Sequence, residues 1–236
     1  MQSSAALRAG IESALGGRLA AHLRWRDRSA PERVPIGIAE LDGLAGGLPR
    51  GSITEIHGLA SSGRTSLVAA ILAAAAGREE ICAYVDSSDV FDPASAEAAG
   101  VDLARLLWIR CGGNPEHALK AADLLIQNGG FGLVVLDLGD ISTQIARRIP
   151  LASWFRLRRS IENTPTVMVL LERNHTVKSC AALAIEMRRE RVIWSGAPAC
   201  SRLLRGARLN AVLPDARISR KSVASERTAF DVSAVR

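Results

Sequence analysis

The chain has 236 residues, 48% of them hydrophobic, which suits one large domain with a sizeable core and excludes a disordered chain. Aromatic residues make up only 4%, so that core is built from Ala, Leu, Val and Ile, and no apolar run is long enough to span a bilayer. Net charge is +6 and uneven: residues 140–236 hold 18 Lys and Arg against 8 Asp and Glu, and residues 1–139 hold 12 against 16.

Residues 2–26 read as an amphipathic helix. Leu7, Ile11, Leu15, Leu19 and Leu23 recur every four positions and form one narrow stripe, suited to the parent domain or to a partner chain. The opening MQSSAALRAG lacks the basic start and long apolar stretch of a secretory signal, so a cytoplasmic location is expected, with no membrane partner. Residues 24–33, charged and carrying Pro31, read as a linker. The cluster Gly46-Gly47-Leu48-Pro49-Arg50-Gly51 is a turn that launches a strand over 53–57.

That strand ends in Gly58. After four residues come Gly63, Arg64, Thr65 and Ser66, and then a helical pattern from Leu67 to Ala76. This is the strand–loop–helix layout of a phosphate-binding loop, G-x-x-x-x-G-K-[ST], in which glycines turn backbone N–H groups inward and a helix N-terminus adds partial positive charge. The candidate nucleotide site is therefore Gly58, Ser61, Ser62, Gly63, Arg64, Thr65 and Ser66. One position departs from the motif: Arg64 stands where Lys is wanted, a planar fork in place of a compact point charge.

Further strands are expected over 81–86, 132–137 and 166–171, with helices over 115–128 and 151–162. The buried strand GLVVLD ends in Asp137, which fits the Walker B carboxylate that holds Mg²⁺ through water. Arg147, Arg148, Arg156, Arg158 and Arg159 form a basic stretch with Trp154 and Phe155 interleaved. It suits DNA or an acidic protein surface; solvated arginines over an inward Trp154, Leu157 and Ile161 explain it too. Period-2 runs over 181–187, 191–195 and 201–213 read as antiparallel strands closing one sheet edge. The tail 214–236 is polar and is expected to be loose or held by a partner. Cys82, Cys111, Cys180 and Cys200 form no C-x-x-C pair and have no His at ligand spacing; they read as reduced thiols, and no metal site is expected.

The run from Ile38 to Leu67, I-x-x-L-D-x-L-x-G-G-L-P-x-G-x-x-x-E-I-x-G-x-x-S-S-G-x-T-S-L, resembles the start of the RecA recombinase core. The resemblance continues through Asp86, Asp92-Pro93, Gly100-Val101-Asp102 and Leu106-Leu107. It implies an α/β fold: a RecA-like P-loop core with a central, mostly parallel sheet flanked by helices, and antiparallel strands at the C-terminal edge. The expected organisation is residues 1–33 as helix and linker, 34–213 as core and 214–236 as tail.

The resemblance also assigns positions where this chain differs. The family's catalytic carboxylate maps to Ser88, which cannot serve as general base. The adenine-stacking aromatic maps to Ser95, and the γ-phosphate sensor falls among Glu172, Arg173 and Asn174. Both DNA-binding loops are short here. With no catalytic residue assigned, the chain reads as a pseudo-ATPase for which ATP and Mg²⁺ are weak ligands at most. Within the RecA-like proteins it resembles the ImuA accessory proteins of mutagenesis cassettes. That likeness implies a role in DNA-damage-induced translesion synthesis, with RecA, the polymerase homologue ImuB and an error-prone polymerase complex as partners. An active or slow DNA-dependent RecA-type ATPase, a DNA-binding protein acting through the basic half and a cell-division inhibitor of the SulA type are the alternatives; the recognisable P-loop counts against the last.

Overall fold

A computed structural model describes residues 31–196, 203–214 and 226–233. The helix expected over 2–26, with its Leu7–Leu23 stripe, lies outside the described residues.

The core begins with a two-stranded ribbon, β1 (Arg33–Val34) and β2 (Leu48–Pro49), bracketing the short helix Ala39–Ala45. The main sheet contains β3 (Ser52–His57), β4 (Cys82–Asp86), β5 (Leu106–Arg110), β6 (Leu133–Asp137), β7 (Val167–Glu172), β8 (Ala181–Ser195), β9 (Leu203–Leu213) and β10 (Glu226–Ser233). Their spatial order is β10-β9-β8-β3-β7-β6-β4-β5. From β8 through β5 neighbours run parallel; β9 and β10 are antiparallel additions.

The sequence explains this layering. LVVLD and VMVLLE are buried at every position, as strands covered on both faces must be. Alternate residues serve opposite faces. Ile56, Tyr84, Val135 and Val169 pack with Leu67, Val68, Ile71 and Leu72 of the helix Arg64–Ala76. Ile53, Val85, Leu136 and Leu170 pack with the helices Pro115–Asn128 and Leu151–Ile161. The former of these two starts where Pro115 occupies the first turn and the Asn114 side chain accepts the amides of Glu116 and His117.

Two expectations are corrected. Residues 181–195 form one continuous strand, irregular near Arg189–Arg191, not two antiparallel pieces. Its first part pairs parallel with β3, and only its later part runs antiparallel to β9. The tail is not loose throughout, because Glu226–Ser233 pairs along β9 with Phe230 buried. No helix among the described residues is long and apolar enough to cross a membrane. Cys82, Cys111 and Cys180 are free and buried.

Candidate functional site

The lead-in to the loop is fixed by its own polar groups. The Asp42 carboxylate accepts the amides of Ile36 (2.7 Å) and Gly37 (3.2 Å), while the neighbouring Leu41 is fully buried. Arg33 donates to the carbonyls of Ala45 and Gly47, and the Gly51 amide donates to Thr166. Strand β3 thereby enters the sheet in register with β7.

The loop leaves the carboxyl end of β3, the place where open α/β sheets hold ligands. Ser61 (φ 58°) and Gly63 (φ 89°) are left-handed, and Gly63 caps the helix that starts at Arg64. The loop is also covered. A Cβ on Gly63 would stand 2.2 Å from Leu209 Cδ1, and one on Gly58 would stand 2.3 Å from the Met187 carbonyl. Gly58 is thus required by the close approach of the β8 backbone, and Gly63 by its left-handed conformation under the Leu209 side chain.

Arg64 does not reach outward. It is 7% exposed, and its guanidinium donates to the Glu172 carbonyl at 2.7 Å and, more weakly, to the Gly139 carbonyl at 3.5 Å. Burial pulls its pKa down, and the nearby Asp137 and Asp140 carboxylates oppose that pull. The cation of the loop is spent on the ends of β6 and β7.

Two of the other expected positions, Asp137 and Ser95, are similarly engaged. Asp137 accepts the Tyr84 hydroxyl at 2.5 Å on one oxygen and the Gly139 amide at 2.7 Å on the other. Burial raises its pKa, and these two hydrogen bonds pull it back. Asp86 holds the amides of Ser88 and Phe91. Ser88 has only a hydroxyl to offer, 3.3 Å from that of Ser87. Ser95 donates its hydroxyl to Asp92, the cap of its own helix. These residues do not fit Mg²⁺–ATP in the manner the resemblance implies: the cation slot is filled from within, and Ser95 offers no ring at the adenine position.

What the loop faces is an adjoining cavity of about 470 Å³. Ser61, Thr65 and Ser66 line one side of it, and Val192, Trp194, Leu204 and Leu209 another. Trp194 (53% exposed) and Leu204 (51%) make that wall an exposed apolar patch.

The basic stretch is divided. Trp154, Leu157 and Ile161 face the core. Arg156 pairs with Asp123 at 3.3 Å, and Arg158 donates to the Ser179 carbonyl. Arg147, Arg148 and Arg159 are exposed. The structure thus brings Gly58 to Ser66 together with Asp137, and leaves Arg156, Arg158 and Arg159 on the helix Leu151–Ile161 and Arg147 and Arg148 in the turn before it.

The profile of the RecA N-terminal domain matches residues 5–146. The chain belongs to the RecA N-terminal domain family. It is 37% identical over 129 residues to Protein RecA of Bifidobacterium longum, covering 54% of this chain and 32% of that relative. With Protein RecA of Leifsonia xyli it shares 32% over 161 residues, 61% and 45% of the two chains. With that of Methylococcus capsulatus it shares 32% over 154 residues, 58% and 44%. The chain thus spans less than half the length of these RecA proteins.

Sequence reasoning missed one cluster at the carboxyl ends of the central strands β3 and β7. Glu55 and His57 stand two residues apart on one face of β3, and His175 follows the end of β7. Glu55 is fully buried and its Oε2 lies 2.6 Å from His175 Nδ1. Burial raises the Glu55 pKa, with the His175 charge opposing it, and burial together with that same charge lowers His57 to about 4. A Glu-x-His pair at the end of the buried strand SITEIH is the available signal.

Proposed function

We propose that this RecA-like chain is a non-catalytic protein-interaction module, ImuA-like, acting in DNA-damage-induced translesion synthesis by binding RecA, the ImuB polymerase homologue, or both. The observation that carries the reading is the inward Arg64. A P-loop cation held by two main-chain carbonyls is not available to neutralise charge on a transferring phosphoryl group. Ser88, lacking a carboxylate, adds no base to activate water. The apolar wall at Trp194 and Leu204, beside the loop, gives a partner protein a surface to cover.

The test has two arms. Phosphate release is measured with and without single-stranded DNA against an Asp137→Ala control; turnover above that control overturns the non-enzyme reading. Capture of purified RecA and ImuB is measured with the full chain and with residues 1–26 deleted. Binding of neither partner overturns the module reading, and loss of RecA capture on deletion assigns that contact to the Leu7–Leu23 stripe.

A further inference from the structure

We propose that Glu55, His57 and His175 form a binding site for one divalent transition cation of the Zn²⁺ type. One donor atom from each residue lies within 4.8 Å of the other two. Bonds of about 2.0–2.1 Å to imidazole and carboxylate draw such a set together by small side-chain rotations. Two imidazoles and one carboxylate are a zinc-type ligand set that leaves a fourth position open. Hard cations such as Mg²⁺ favour oxygen ligands alone.

The second observation is His57 itself. It is 8% exposed, and its Nδ1 is buried without a hydrogen-bond partner. A Glu55–His175 ion pair accounts for those two residues and leaves the His57 nitrogen unexplained. The rings of His57 and His175 lie 5.3 Å apart, so both imidazoles already face the same space. Main-chain contacts hold Glu55 in position. Its Oε1 accepts the amides of Thr176 (2.8 Å) and Val177 (3.4 Å), leaving Oε2 for the site. Such outer contacts orient a ligand and sharpen affinity.

A cavity of about 410 Å³ adjoins the cluster, bordered by His57, Gly58, Ser62, Asn174 and His175. It gives room for a water or a partner's side chain at the fourth position. The bound cation ties the segment after β7 to the last residue of β3, directly before the P-loop.

The experiment uses the untagged full chain, stripped with chelator, and titrates Zn²⁺ by calorimetry and Co²⁺ by visible absorption. One equivalent is expected, with a tetrahedral-type Co²⁺ spectrum. His57→Ala and His175→Ala are each expected to weaken binding by about a hundredfold, with Mg²⁺ not competing. The His175 side chain is exposed, so His175→Ala reads the site even if the His57 variant fails to fold. Absence of binding, unchanged affinity in His175→Ala, or equal competition by Mg²⁺ overturns the proposal.

Discussion

The carbonyl oxygen of Glu172 accepts the Arg64 guanidinium at 2.7 Å and the Gly58 amide at 3.3 Å. The first and last parts of the P-loop are thereby tied to one atom at the end of β7. A flexible loop becomes a closed ring, and the residue that closes it is the one that departs from the motif.

Replacing that residue tests the arrangement. Arg64→Lys keeps the charge and loses the fork that reaches both carbonyls. Nucleotide affinity, followed with a fluorescent ATP analogue, is expected to tighten at least about tenfold, because the compact cation can turn outward. Loss of the charged hydrogen bonds costs about 1–3 kcal/mol of stability by denaturant titration. Phosphate release is expected to stay at the Asp137→Ala level, since Ser88 is unchanged. Unaltered affinity contradicts this account.

Leu209 is the lid residue of the loop. It is 2% exposed and sits where a Gly63 side chain would be. Leu209→Ala is expected to destabilise the chain by about 2–5 kcal/mol. Hydrogen exchange should rise at Ser61 to Arg64 beyond the global effect. A uniform rise across the sheet would show that Leu209 acts only as core.

The role of Ser95 can be separated from any role in nucleotide recognition. Asp92 accepts the amides of Ala94 and Ser95, so Asp92→Ala should cost about 0.5–2 kcal/mol. Ser95→Ala should cost less and leave nucleotide affinity unchanged. A change in affinity would place Ser95 at the base.

Glu80 sets an acid-sensitive limb of stability. Its carboxylate receives Arg50 at 2.5 Å and Arg78 at 3.1 Å. Burial works against its charge, and the hydrogen bonds from Arg78 and Arg50 outweigh burial, so its pKa falls below 4.5. The folded state therefore holds its proton less tightly than the unfolded chain. The contribution is present above the unfolded value near 4.5 and is lost as pH falls through the depressed folded value. Wild type and Glu80→Gln should differ by about 1 kcal/mol at pH 7 and converge as the pH falls from the unfolded value through the depressed folded one in urea titrations. A constant difference across that range would rule out the charge as its cause.

Much of the scaffold was legible because local chemistry and tertiary role agree. Asn114-Pro115 announces a helix start, and LVVLD announces a strand buried on both faces. The family signature around Asp42, Gly46-Gly47 and Gly58–Ser66 located the loop. Three things were not legible. Residues 181–195 carry alternation that fits either pairing direction, so the parallel union with β3 appears only in three dimensions. Glu55 and His57 lie more than a hundred residues from His175, and no spacing rule joins a strand to a turn that far away. The inward course of Arg64 likewise depends on carbonyls at residues 139 and 172.

Strand β3 lies between β7 and β8, although it precedes both by more than a hundred residues. While the chain emerges from the ribosome, β3 therefore waits with both hydrogen-bonding edges bare until residues 167–195 have been made. Long sequence separation slows such closure and leaves the nascent apolar strand open to mispairing. The arrival of residues 167–195, rather than the folding of the early helices, sets the moment at which the loop's cradle first takes shape.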